Sequence, residues 1–536
     1  MNAKLAPILV VCVVGVLCSW ATRGPRRIGS GTVSSVAVSA DLAPAVERVN
    51  QFFAERWRSN DIQPAEAADE LLVLRRLSLA MIGSVPSIEE VRQFEADREP
   101  QRLDRWTLRL LHDQRFSAYF AVRLSRCFVG ADDGQFIVFR RDRFSSWLGE
   151  QLHEGRPYDG IVRQMVASKG LWTGQPESNF VTAAFANDEL DENKLAARTA
   201  RAFLGQSMDC AQCHDHFFAD WKQHQFQGIA AQFGQTEVGG LGVHDKASNK
   251  FTVVDRKTQE DREVSPSVPF HPEWLPTEGS PREQFAHWLT HPENRRFDRA
   301  IANRVWGLMF GKPFIAPVDD LPNPPDDEHR DILDLLGQDF RQHDCDLRRL
   351  VQVIAGSQSF RAASLHPSED ADVIEKLNEH WAVFPLTRLR PEQIIGSMQQ
   401  ASYIQTIDQN SHLAVRFIRF TSENDFVKAY GDLGDQELVD RSGTIPQALL
   451  RMNGEVTRDA IKTGPLSTAS RIAKMCQSNQ EVVEVSYLAC VARRPTAEEE
   501  AHFVGLLDKR RDKDLEPSVE DIFWTLFNAP EFSWNH

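Results

Sequence analysis

The sequence predicts a mainly α-helical protein: two helical domains with a small β/loop excursion between them. Three observations carry that prediction. Apolar residues recur at three- and four-residue spacing through most of the chain, helix-start signals precede several of those stripes, and one Gly- and Pro-containing stretch interrupts them. At 536 residues the chain exceeds one ordinary core, and its 42% hydrophobic content suffices to fold most of it.

Residues 1–21 read as a signal peptide or membrane anchor. Lys4 precedes an apolar run from Leu5 to Ala21, and Ser19-Trp20-Ala21 has the small-x-small form of a signal-peptidase site. Arg23, Arg26 and Arg27 follow the run and oppose export of what comes next, so cleaved and retained forms both stay open. Residues 22–40, with their Ser, Gly, Val and Ala and no helical period, read as a linker. The expected place of the protein is outside the cytoplasm, periplasmic or at the cell surface. The membrane enters only through the N-terminal segment, if it is retained.

The first helical domain spans 41–234. Ser87 with Glu90 forms a capping box ahead of Val91 and Phe94. A connector at 235–274 holds glycines, prolines and the β-branched run Phe251-Thr252-Val253-Val254. The second helical domain spans 275–536. Ser280 with Glu283 makes another box, Pro281 stands at the first helical position, and Phe285, Trp288 and Leu289 share one face. Phe297, Ala300, Ile301, Val305 and Leu308 form the next stripe, which Gly311 ends. Thr496 with Glu499 opens a further helix, whose first turn carries Glu498 and Glu500 where the helix dipole favours negative charge.

The formal charge is −15, and basic residues come only in short groups such as Arg140-Arg141 or Lys509-Arg510-Arg511. Binding a duplex needs a concentrated basic face, so nucleic acid is not an expected partner. Of eight cysteines, Cys12 and Cys18 lie in the leader. Cys127, Cys345, Cys476 and Cys490 are too widely spaced for a disulfide-dense scaffold, and buried free thiols are the simpler reading.

The remaining two cysteines carry chemistry. Cys210-Ala211-Gln212-Cys213-His214 is the pattern of c-type haem attachment. One turn of chain presents two thiols to the two vinyl groups of one porphyrin, and the adjacent His214 imidazole becomes the proximal ligand of the iron. Chance supplies such a pentapeptide in roughly one chain in a few hundred of this composition. The stretch from Leu195 through Phe203 and Leu204 reads as a helix leading into the turn. Haem c is therefore the expected cofactor. Zinc is the alternative, because Cys210, Cys213, His214 and His216 also offer thiolate and imidazole ligands, although four ligands within seven residues strain a tetrahedral shell. The sixth iron ligand stays open among Met208, His216, His224, His244, Met309, His329 and Met452.

Downstream of the motif come Asp215-His216, Phe218, Trp221 and Gln227-Gly228-Ile229-Ala230-Ala231-Gln232-Phe233. The C-terminal half carries Asn303-Arg304-Val305-Trp306, Gly311-Lys312, Pro317-Val318-Asp319-Asp320, Asn323-Pro324-Pro325, Met452-Asn453-Gly454, Arg494-Pro495-Thr496 and Asn528-Ala529-Pro530-Glu531-Phe532. Together these resemble the cytochrome-like domain of unknown function found in planctomycetes, followed by its usual companion domain, also of unknown function. The resemblance runs over roughly residues 45 to 536 and implies a haem-type motif and export; it implies no particular activity. Two departures stand out. Ala80 and Ile82 replace the family's usual aspartate and threonine, and His216-Phe217-Phe218 replaces the commoner His-Pro-Phe or His-Lys-Phe.

Other constellations are weaker. Asp319-Asp320 with Asn323 and His329 reads as a polar loop capping the next helix, with a carboxylate or calcium site as the other reading. Arg304 and Trp306 read as packing residues, with an acidic or glycan ligand as the alternative. Ser357 and Ser359 lack a nucleophile-elbow setting, and no phosphate loop or dinucleotide fingerprint is present. The expectation is an exported c-type haem protein, working in electron transfer or haem-linked redox with an unidentified redox partner. The alternative is a non-haem surface protein whose motif is metal-bound or structural, with a glycan or cell-surface ligand or a scaffolding role.

Overall fold

The computed structural model describes residues 39–536 except 131–138, 187–188, 217–219, 255–258, 327–328, 369, 412–422, 424, 432–433, 435–437, 439–442, 465–466 and 510–514. The leader, most of the linker, and Phe217 and Phe218 thus lie outside the described residues. Among the described residues, no helix is long and apolar enough to cross a membrane.

The protein is mainly helical, and its local signals act where the sequence places them. Glu90 accepts from the Ser87 amide at 2.9 Å while Ser87 Oγ accepts from the Glu90 amide at 3.1 Å. The same exchange joins Thr496 and Glu499, at 2.8 and 3.2 Å. The box at Ser280 forms as well, with the Glu283 carboxylate accepting from the Ser280 amide at 2.7 Å. Between the halves lie two small antiparallel hairpins, Thr236–Gly239 with Gly242–Asp245 and Phe251–Val254 with Asp261–Val264.

The halves share one apolar cluster. Helix Leu42–Ser59 buries Leu42, Ala45, Val49, Phe53 and Trp57, one face at three- and four-residue spacing, against helices Ile332–Gln342 and Leu347–Gly356 of the C-terminal half. Helix Glu70–Ile82 is buried along almost all of its length. Its Ala80 and Ile82, at 1% and 3% exposure, are core residues. Arg75 and Arg76 on this helix reach the far end of the chain. Arg75 donates to the carbonyls of Glu531 and Trp534, and Arg76 donates to that of His536 while lying over the Phe384 ring.

Helix Arg295–Phe310 is the axis of the fold. Every residue from Phe297 to Phe310 is buried, and Gly311 ends the helix at φ 79°, in the left-handed region that glycine favours. A helix buried all round must satisfy its polar groups internally. Arg299 pairs with Asp331 and Asp334 at 2.6 Å, Asn303 exchanges two hydrogen bonds with the backbone of Ile315, and Arg304 pairs with Asp319. Trp306 packs within an aromatic group that includes Phe310, Phe314, Trp381 and Phe53 from the N-terminal helix. The ligand reading of Arg304 and Trp306 is therefore set aside: both are interior packing residues. Cys127, Cys210, Cys213, Cys345, Cys476 and Cys490 are all free thiols.

Candidate haem-attachment site

Helix Glu192–Thr199 leads toward the motif and loosens into a π turn over Ala200–Leu204. Such wide turns recur at functional sites because they redirect the chain without breaking the helix. Gly205 stops it at φ 61°, and a Cβ there would lie 2.8 Å from Leu321 Cδ1, so the position admits little else. Met208 and Ala211 are buried, which pins the segment to the body. The short 3-10 turn Asp209–Gln212 then turns outward. The Cys213 and His214 amides both donate to the Cys210 carbonyl, at 3.3 and 3.4 Å, so the three motif residues share one turn. Cys210, Cys213 and His214 are exposed, and His216 is half-buried.

The loop is closed from below. Asp215 Oδ1 accepts from the amide of Gln223, at the start of helix Gln223–Ala231, at 3.0 Å, and Gln223 returns a hydrogen bond to the Gln212 carbonyl. That backbone hydrogen bond, with Lys222 beside it, holds the Asp215 carboxyl below its ordinary range. The His216 amide donates to the Trp221 carbonyl at 2.8 Å. Most informative is His214: its Nδ1 lies 2.8 Å from the Asp215 carbonyl oxygen. A carbonyl only accepts, so Nδ1 is the protonated nitrogen in this contact, and in the neutral ring Nε2 is then the nitrogen able to ligate a metal. That is the tautomer a metal-ligating histidine uses, oriented by a backbone carbonyl in the usual way.

The residues present are the donor types a c-type haem takes: two free thiols on one turn and, beside them, an imidazole whose Nδ1 is held by a backbone carbonyl. Among the described residues no three His, Cys, Asp or Glu side chains come together as a metal-binding set, those of the motif included. The sixth-ligand candidates have different settings. Met208 and Met309 are buried. His244 bonds to the Gly242 carbonyl within the first hairpin, and His329 pairs with Asp326. Trp524 is anchored on the Met452 carbonyl, in the C-terminal half. His224 differs: it is exposed on the helix that Asp215 caps, and it lies close enough to add to the depression of the Asp215 carboxyl.

The carboxylates of Asp319 and Asp320 are structural, and they do not cap the next helix, whose first turn is held by Asp331. Burial would depress the Arg304 guanidinium, but Asp319 outweighs that and holds it above its ordinary value. Asp320 Oδ1 accepts from Gln206 Nε2 at 2.8 Å, and the Leu321 amide donates to the Gly205 carbonyl at 2.8 Å. Arg296 completes the joint, donating to Gln206 and to Asn323 and lying over the Trp221 ring. The approach to the cysteine motif is therefore clamped to the C-terminal half. Sequence reading missed Gln206 and Arg296, which belong to no local pattern; their one signal was proximity to Gly205 and to the Phe297 stripe.

Two family models match the chain: PSCyt2, a protein of unknown function (DUF1549), over residues 48–238, and PSD1, a protein of unknown function (DUF1553), over residues 281–415. No curated protein and no solved structure matches it. The first match contains the cysteine motif and ends within the first hairpin, the second contains the buried axial helix and the Asp319-Asp320 loop, and the second hairpin falls between them. The chain is thus a PSCyt2 domain followed by a PSD1 domain, the planctomycete cytochrome-like pairing.

Proposed function

We propose that this chain is an exported c-type haem protein that passes electrons to or from a partner at the cell surface or in the periplasm. The observation that carries the reading is that one exposed turn presents two free thiols and the His214 ring, with its Nδ1 2.8 Å from the Asp215 carbonyl oxygen. Cys210 and Cys213 would hold the group covalently. Each thiol would be joined by addition of its S–H across one vinyl double bond, with no leaving group. His214 Nε2 would serve as proximal ligand, while its Nδ1 proton stays on the Asp215 carbonyl. When bound, haem supplies a one-electron couple. The exposed setting of the turn favours electron exchange with a docked partner over chemistry in a closed cavity. Export rests on the leader, and covalent attachment of this kind belongs outside the cytoplasm.

A second reading is favoured by that same exposure: two surface thiols with no enclosing wall of their own also suit a metal-bound or structural motif. A haem-stained denaturing gel and visible spectrum separate the two. The protein is made with a c-type maturation system, as wild type and as Cys210→Ala/Cys213→Ala. The proposal requires colour that survives denaturation in the wild type and is lost in the variant. A colourless wild type holding one equivalent of zinc supports the second reading.

A further inference from the structure

A cavity of about 960 Å³ lies in the C-terminal half, and none of the motif residues lines it. Most of its wall is apolar, with Leu308, Pro313, Val318, Leu377 and Leu389 among the contributors. Large apolar side chains also stand exposed in its lining, Leu365 at 81% and Leu386 at 54%, an arrangement typical of a surface that receives an apolar body.

The charge of the wall is one-sided. The chain carries 76 acidic residues, yet among the described residues none that lines the cavity is Asp or Glu, while Lys312, Arg388 and Arg390 are present. Among the described residues, Lys312 and Arg388 have no carboxylate within ion-pair distance. Arg388 is held by the Tyr430 hydroxyl at 3.4 Å and by the Trp534 ring, and its guanidinium lies against Gly443 so closely that a Cβ there would displace it. Near Arg388 and Tyr430 sits Arg451, 9% exposed, with Nε and Nη1 buried and unpartnered. Burial depresses its guanidinium, and repulsion from Arg388 adds to the effect. Lys312 and Arg388 thus stand in a largely apolar cavity with the buried Arg451 near Arg388 and, among the described residues, no carboxylate paired with any of the three. Uncompensated charge of this kind is costly and is relieved by a bound counter-charge.

We infer that this cavity binds an organic monocarboxylate with an apolar body, the carboxylate meeting Arg388 and Lys312 and the body lying along the leucine-lined wall. Arg offers the planar fork that matches a carboxylate, and Lys312 adds a point charge. The site is independent of the haem reading.

The test is calorimetric titration of the full-length chain with dodecanoate, 1-dodecanol and acetate below their aggregation limits. Dodecanoate should saturate one site per chain, with dodecanol and acetate each at least about tenfold weaker, the size expected when one charge-paired contact is lost. Arg388→Met should weaken dodecanoate about tenfold and leave dodecanol unchanged. Lys312 is exposed and can be replaced without disturbing the core, so Lys312→Met, with an expected loss of about threefold, serves if the first variant does not fold. Equal binding of dodecanoate and dodecanol overturns the proposal, as does binding indifferent to the substitutions or the absence of saturable binding.

Discussion

Gln206 Nε2 donates to Asp320 Oδ1 at 2.8 Å across 114 residues of sequence, and this contact joins the segment entering the cysteine motif to the PSD1 half. With the Leu321–Gly205 backbone bond beside it, it makes the turn that presents Cys210 and Cys213 a product of both domains. Gln206→Ala is expected to cost about 1 kcal/mol, the usual net worth of one partly buried hydrogen bond. Urea unfolding of Gln206→Ala, Asp320→Ala and the double variant measures it. A coupling energy near zero would remove the clamp from the account.

His224 is the sixth-ligand candidate that the fold keeps beside the motif outside its own loop. In holoprotein, His224→Ala is expected to convert a six-coordinate spectrum into a five-coordinate or water-ligated one, while His216→Ala leaves it intact. Visible and magnetic circular dichroism spectra decide between them. The reverse pattern would assign the ligand to His216.

Trp306 is an interior residue, fully buried among aromatic rings from both halves. Trp306→Ala should destabilise the protein by about 3–5 kcal/mol, the range for deleting a buried aromatic side chain. Denaturant unfolding reads this directly. A loss under about 1 kcal/mol would show that the ring is not a core element and would reopen its reading as a ligand contact.

Glu531 provides a test in pH. Burial alone would raise its carboxyl, but His536 and the two Arg493 hydrogen bonds at 2.6 Å outweigh it and bring the pKa down to about 2, from an ordinary 4.5. A carboxyl depressed in the folded state stabilises above its unfolded pKa. That stability drains away as pH falls from about 4.5 through about 2. Glu531→Gln should therefore be less stable near neutrality by roughly 1–3 kcal/mol, and its stability should converge on wild type at pH 2. Parallel stability curves for the two proteins across that range would contradict the assignment.

What the sequence disclosed and what it concealed follow from range. Ser87 and Glu90, or Thr496 and Glu499, are three residues apart and obey local geometry, so the helices they open could be read from the chain. The run at Phe251–Val254 announced a strand for the same reason. The cysteine motif was legible because its chemistry is contained within five residues. By contrast, the partners of Asp319 and Asp320 are Arg304 and Gln206, brought together only by tertiary packing, so their loop was read as a cap. Nor does any pattern in sequence announce that the helix Leu42–Ser59 packs on residues 332–356. The contact of His214 Nδ1 with the Asp215 carbonyl depends on how the motif turn folds and became visible only in the structure.

The central claim is covalent attachment at Cys210 and Cys213 with His214 as proximal ligand, and peptide mass spectrometry of matured holoprotein tests it most directly. The account predicts that the proteolytic fragment containing Cys210–His214 gains the mass of one haem and resists thiol alkylation, and that His214→Ala keeps the thioether-linked mass but loses the native spectrum. A fragment of unmodified mass with both thiols alkylated, from cells whose maturation system loads a control cytochrome, would contradict it.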